Sequence, residues 1–285
     1  PLPAYHQIGE TMLRRIQGPM SGPNQLGLWL LLPWSIGLSA VVGRKVGKAD
    51  WLLLTLTAAA IGLSFSRSAW IAAAAIAAVI VWVRLPARTA RRVFLAGGAA
   101  GLCAIVVVAM LLPQVIVRLS SSRGHLVRPI EAATLMLERP LGSGLGSAGP
   151  ASNRYSDPCV MLRPQDDPSW AKSTPDLCVF LGTTQVQPAT RACDCPVHPE
   201  NWYLQLGVEL GIAGLVLFTT LTVLLLLALS RAAKKDEVFA RPVSLAVLGI
   251  AIASLALHAW EDAAIAYALW TIAAVALPVS RDPRG

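Results

Sequence analysis

Long apolar runs alternate with short polar ones along most of this chain. Leu26–Val42, Val93–Leu112 and Trp202–Leu229 each suit a bilayer-spanning helix, which needs roughly 20 apolar residues. The last of them is long enough to tilt or project. Two further stretches divide in the middle. Trp51–Phe65 and Ser68–Val83 are each slightly short and are separated by little more than Ser66-Arg67. Val243–Leu257 and Ala263–Leu277 likewise flank His258-Ala259-Trp260-Glu261-Asp262. Basic residues stand at both outer ends of each pair, so each reads as a helical hairpin with its tip on the far side. The pattern predicts seven spans.

Composition points the same way. Hydrophobic residues make up 55% of the 285 positions and charged residues 14%, where a soluble domain carries roughly 25% charged residues. Disorder, collagen and coiled coil are excluded. The net charge of +8 does not imply nucleic acid, because the basic residues gather in short connectors: Arg44, Lys45 and Lys48; Arg84, Arg88, Arg91 and Arg92; Arg231, Lys234, Lys235 and Arg241; Arg281 and Arg284. Short basic loops between apolar spans are the positive-inside pattern, which puts them and the C-terminus in the cytoplasm. Residues 1–25, the Arg67 tip, the stretch 113–200 and the tip at 258–262 then face the other side. The chain opens on Pro1, and no charged segment of the signal-peptide kind precedes an apolar run. It is expected to be part of a longer protein lacking its N-terminal spans, odd in number if the whole protein begins inside.

The expected organisation is therefore an all-α integral membrane protein: spans one to four in 1–112, with a hairpin around Arg67; an outer loop in 113–200; spans five to seven in 201–285. A Pro-, Gly-, Ser- and Asp-rich loop this long is usually functional. One helix is predicted in it, Ile130–Glu138, with Pro129 at the first position and Arg139-Pro140 as the stop. Ile130, Ala133 and Leu137 share a face expected to lie against the membrane domain. Cys159, Cys178, Cys193 and Cys195 all fall in this loop, and Cys103 within an apolar span reads as a packing residue. Four exported cysteines suggest disulfides. A Cys193–Cys195 ring is disfavoured by its size, leaving 159–193 with 178–195, or 159–195 with 178–193. The competing reading is a metal site from Cys193-x-Cys195-x-x-His198, whose spacing is not that of a finger or ribbon.

Several motifs bear on chemistry. Gly144-Leu145-Gly146-Ser147-Ala148-Gly149 satisfies G-x-G-x-x-G, but it lacks the strand before and helix after that a dinucleotide site requires. It reads instead as a turn whose backbone N–H groups could face an anion. Arg67 sits at the tip of a short-armed hairpin, near the interface, where an arginine is costly and is commonly paired or functional. Its planar fork suits pyrophosphate, and the bland alternative is snorkelling to headgroups. Arg123, Arg118, Arg128, Arg139, Arg154, Arg163 and Arg191 read individually as solvated or interfacial anchors. His198-Pro199-Glu200-Asn201 precedes Trp202-Tyr203, an interfacial aromatic pair, so a potential base and polar positioning groups stand at the boundary. A capped helix start would use the same residues without chemistry. Glu209, about two turns inside the predicted span, needs a partner.

Taken together, these segments resemble the O-antigen ligase and polymerase superfamily. Ser66-Arg67-Ser68-Ala69-Trp70 is similar to its Ser-Arg-x-x-Trp segment, and Arg139-Pro140-Leu141-Gly142-Ser143-Gly144-Leu145-Gly146 to its Pro-Leu-x-Gly-x-Gly segment. His198 through Gly211 resembles its His-x-His-Asn-x-x-Leu-Gln…Glu-x-Gly signature, continued by Ile212-Ala213-Gly214-Leu215. Gly22-Pro23-Asn24-Gln25-Leu26-Gly27 fits the start of a preceding helix. The resemblance covers nearly the whole chain, in order. It implies a largely helical, lipid-dependent membrane glycosyltransferase of the bacterial inner membrane, acting at the periplasmic face in lipopolysaccharide or other polysaccharide biosynthesis. The donor would be an undecaprenyl-pyrophosphate-linked glycan, the acceptor a glycan, lipid A-core or protein, with no metal or other cofactor. Arg67 maps onto the first pyrophosphate-binding arginine of the family and Arg123, less securely, onto the second; Asn201 joins them as a binding residue.

The chain departs from the ligase pattern at position 200. That pattern has histidine directly before the asparagine that precedes nine residues and a glycine. Counting back from Gly211 puts Glu200 in the slot and His198 two residues earlier. Either can deprotonate a sugar hydroxyl, so both are candidate catalytic bases. The competing function classes are a transporter of a small anion such as bicarbonate and a non-catalytic membrane scaffold. A transporter is expected to carry paired repeats and midplane charges; the sequence has no fixed-period repeat, and its polar residues cluster at one face.

Overall fold

The computed structural model describes residues 5–8, 11–43, 46–111, 119–150, 152, 157–162, 166–182, 184–236 and 238–277. The chain is mostly helical and forms two compact units, Pro1–Arg123 with Thr220–Gly285, and Gly124–Thr219. The first unit takes in helices α1 (Pro23–Trp29), α2 (Leu31–Gly43), α3 (Lys48–Leu63), α4 (Arg67–Arg84) and α5 (Ala87–Leu111), and later α8 (Ala240–Ala253) and α9 (Ala263–Ala276). Between them run α6 (Leu119–Glu138) and α7 (Trp202–Lys235), each passing from one unit into the other. A short hairpin, β1 (Tyr5–Ile8) with β2 (Thr11–Arg14), precedes the helices.

Among the described residues, three helical stretches are long and apolar enough to cross a membrane: Pro23–Val42, α4 and α7. The α3, α8 and α9 helices are apolar but have 16, 14 and 14 residues. In the first unit α8 packs against α2 and α4, and Leu31, Ile76, Ile80, Val247 and Ile250 are buried. The outer faces remain apolar, with Leu56, Ile71 and Trp82 exposed. Such side chains are unfavourable in water and at home in lipid. Cys103, expected to pack inside a span, is exposed on α5.

The Pro-, Gly- and Ser-rich stretch before α7 has more structure than its composition suggests. Its helix begins at Leu119, ten residues before the predicted first position at Pro129, and carries that proline inside it. The missing proline N–H removes the bond to the His125 carbonyl, but it does not prevent the upstream residues from being helical. Within its own unit the helix turns a different face inward. Ile130 and Leu137 are 67% and 69% exposed, whereas Ala132 is fully buried in a small core with Ala148 and Val208. Small residues win that face because they let backbones approach closely.

A three-stranded sheet follows, formed by β3 (Cys159–Leu162), β4 (Cys178–Leu181) and β5 (Thr184–Gln187). β3 and β4 pair in parallel with Cys159 opposite Cys178, and β4 and β5 pair antiparallel. Cys-Val-Met-Leu and Cys-Val-Phe-Leu are the signal in the sequence: two matching four-residue apolar runs.

Candidate functional site

In the first unit the Arg67 segment lies at a turn between α3 and α4. Phe65 adopts φ 50° there, in the left-handed region, and Ser66 N-caps α4 without a side-chain capping bond. Arg67 is the first residue of α4 and is exposed. A cation at a helix N-terminus opposes the helix dipole, so local helix energetics do not account for it. The preceding chain grips this turn. Arg15 donates from Nε to the Ser64 carbonyl at 2.7 Å and from Nη2 to Asn24 Oδ1 at 2.8 Å, and the Ile16 N–H donates to the Leu63 carbonyl at 3.3 Å. Ser21 Oγ donates to Asp262 Oδ2 at 3.0 Å, which brings the second hairpin tip to the same end. Gly27 faces the start of α4 so closely that a Cβ would lie 2.8 Å from the Ala69 Cβ. The two motif segments of this unit, 22–27 and 66–70, are therefore packed on one another.

The second unit interlocks its two motif segments by backbone bonds. Gly211, at φ 72° and ψ −170°, breaks α7. Helical bonding across the break is replaced by the loop after α6. The Pro140 carbonyl accepts the Ile212 N–H at 3.0 Å, while the Ser143 and Gly144 N–H groups donate to the Val208 and Glu209 carbonyls at 2.8 and 3.0 Å. The glycine loop thus has an anion of its own: the Gly146 N–H donates to Glu209 Oε1 at 3.1 Å. Further along, Ala148 forms a parallel bridge with Val197, and buried Gln205 donates from Nε2 to the Ala148 carbonyl at 3.3 Å. Glu209 was expected two turns inside a span. With the break at Gly211, the unbroken helix starts at Ile212, and Glu209 precedes it.

The His198–Asn201 turn sits where this interlock meets α7. His198 is half-buried and Pro199 fully buried. Glu200 has φ 52°, and its Oε1 accepts from Arg128 Nη1 on α6 as an ion pair. Asn201 caps α7, its Oδ1 accepting the Leu204 N–H at 3.1 Å. Arg128, grouped with the solvated anchors by sequence, is thereby brought to a candidate base. Its position directly before Pro129 carried no mark of that. Arg123 lies on α6, and its side chain is outside the described residues, as are Arg118, Arg154 and Arg163.

Two disulfides tie the sheet to the segment leading into this turn: Cys159–Cys195, with Cα atoms 5.7 Å apart, and Cys178–Cys193, with Cα atoms 6.1 Å apart. Of the two pairings left open by the sequence, this is the second. Asp157, Cys178 and Cys193 cluster as metal donors would, but both sulfurs are bonded to each other, and a disulfide offers no thiolate. Asp157 is instead held bidentately by Arg191, at 2.6 and 2.8 Å, and accepts the Asp194 N–H at 2.9 Å. These bonds, the arginine's first, hold its carboxyl below the ordinary range. No protein-family model matches this sequence, and no curated protein is significantly similar to it.

Proposed function

We propose that this chain is a glycosyltransferase of the bacterial inner membrane, of the O-antigen ligase and polymerase kind. It would transfer or polymerise an undecaprenyl-pyrophosphate-linked glycan at the periplasmic face. The seven-span arrangement belongs to this proposal, with α1 and α2 counted as one span and α3, α4, α5, α7, α8 and α9 as the rest. The observation that carries the reading is where the backbone is strained. Among the described residues, the non-glycine positions with left-handed φ are Phe65 and Glu200. Phe65 directly precedes one segment that resembles the family's and Glu200 lies within another, two residues from Arg67 and from His198 respectively. Such conformations cost about 1–3 kcal/mol and cluster at functional sites.

In the proposed reaction the acceptor hydroxyl attacks the anomeric carbon, and the bond from that carbon to the pyrophosphate oxygen breaks. His198 takes the hydroxyl proton as the general base. Glu200, engaged by Arg128, shapes the turn that holds His198. Arg67 and Arg123 stabilise the departing pyrophosphate, electrostatic work that is worth several kcal/mol in enzymes (about 3–4 for a single donor). The test is incubation of the purified full-length protein with undecaprenyl-pyrophosphate glycans and candidate acceptors. Ladders identify a polymerase, and a singly capped acceptor identifies a ligase. Anion flux in liposomes without glycan transfer to any acceptor would sink the proposal.

A further inference from the structure

We infer that α6 and the glycine loop form a lipid-inserted surface, with Ile130, Leu137, Leu141 and Leu145 dipping into the leaflet that surrounds the start of the α7 span. All four are large aliphatic side chains with little protein cover, Leu141 being 93% and Leu145 74% exposed. On α6, Ile130 and Leu137 are seven residues apart and so share a face, while buried Ala132 belongs to the opposite one. Leaving that much apolar area in water is unfavourable.

The occupant follows from what the loop is bonded to. Ile212 begins the unbroken run of α7 that continues to Lys235, a helix long and apolar enough to cross a membrane. Its flanks are exposed and apolar, as at Leu217, and only lipid suits them. The Pro140–Ile212, Ser143–Val208 and Gly144–Glu209 bonds fix the glycine loop at the level where that run starts. Leu141 is the next residue after Pro140, and exposed Leu210 and Ile212 continue the apolar surface from the span to the loop. A bilayer wrapping the span therefore meets Leu141 without a gap. Arg139, exposed, stands between the helix and loop leucines and suits a headgroup phosphate. Interfacial helices of this kind bury their apolar face about 5–10 Å into the headgroup and acyl boundary. This placement requires only that α7 spans the bilayer, and it is independent of glycosyl transfer.

The experiment uses the full chain with Cys103→Ser as background, since Cys103 is the free cysteine among the described residues. Single cysteines are introduced as Ile130→Cys, Leu141→Cys, Leu217→Cys and Met161→Cys, all exposed positions, and labelled with bimane. The labelled proteins are reconstituted into phosphatidylcholine vesicles with or without brominated acyl chains. Intact Cys159–Cys195 and Cys178–Cys193 bonds identify folded variants. Labels at 130 and 141 should lose fluorescence as the label at 217 does, while the label at 161, on the sheet, should not. Loss at 217 with none at 130 and 141 would overturn the placement, as would cross-linking of Leu141→Cys between two copies without quenching. An unquenched label at 217 would remove the spanning helix and this surface together.

Discussion

Gly146 donates its backbone N–H to Glu209 Oε1 across 63 residues of sequence. This bond gives the buried carboxylate a partner that comes from the chain itself. Glu209→Ala should leave the donor unsatisfied and cost about 1–3 kcal/mol. Glu209→Gln keeps an acceptor and should lose less. Thermal unfolding of the detergent-solubilised protein ranks the two; equal losses would mean that the bond is idle.

Gly211→Ala tests the break in α7. At φ 72° and ψ −170° the residue occupies a region essentially reserved for glycine, and a Cβ would lie 2.1 Å from the Pro140 carbonyl oxygen. The variant should unstitch the glycine loop, seen as new protease cleavage between residues 139 and 149. An unchanged digestion pattern would show that the loop is held some other way.

Arg67→Ala should abolish glycan transfer without affecting membrane insertion, because a neutral side chain cannot stabilise a pyrophosphate leaving group. Arg67→Lys should recover little, since a point charge lacks the bidentate fork. Transfer assays on equal amounts of inserted protein decide it, and wild-type rates in Arg67→Ala would remove the residue from the site.

His198→Ala should slow transfer by roughly 10²–10⁴-fold if the imidazole is the general base. Glu200→Gln and Arg128→Ala should each cost less, and together no more than either alone, because they break one ion pair. A dead Glu200→Gln beside an active His198→Ala would transfer the base role to the carboxylate.

The Asp157–Arg191 pair carries a pH dependence. Its folded pKa lies below the unfolded value of about 3.9, so its stabilisation is complete above that value. It is lost as pH falls through the lower, folded pKa. Arg191→Ala should flatten this part of the acid unfolding curve, followed by near-ultraviolet circular dichroism on the protein with both disulfides intact. A variant with the wild-type acid limb would discount the pair.

The sequence by itself determined the helical, apolar character of this chain, the two hairpin turns and the basic connectors. Those features depend on residues within a few positions of one another, and hydrophobic periodicity records them directly. It also marked Arg67, His198 and Glu200, whose residue types announce chemistry wherever they fall. The parallel strands at Cys159 and Cys178 were legible in principle, as matching four-residue runs, but their pairing was not. Tertiary structure decided that Arg128 meets Glu200, 72 residues away, that Cys159 joins Cys195 rather than Cys193, and that Ala132 rather than Ile130 turns inward. Each of those outcomes is a contact between residues distant along the chain, where Ala132, for one, packs against Ala148 and Val208, and hydrophobic periodicity records only neighbours.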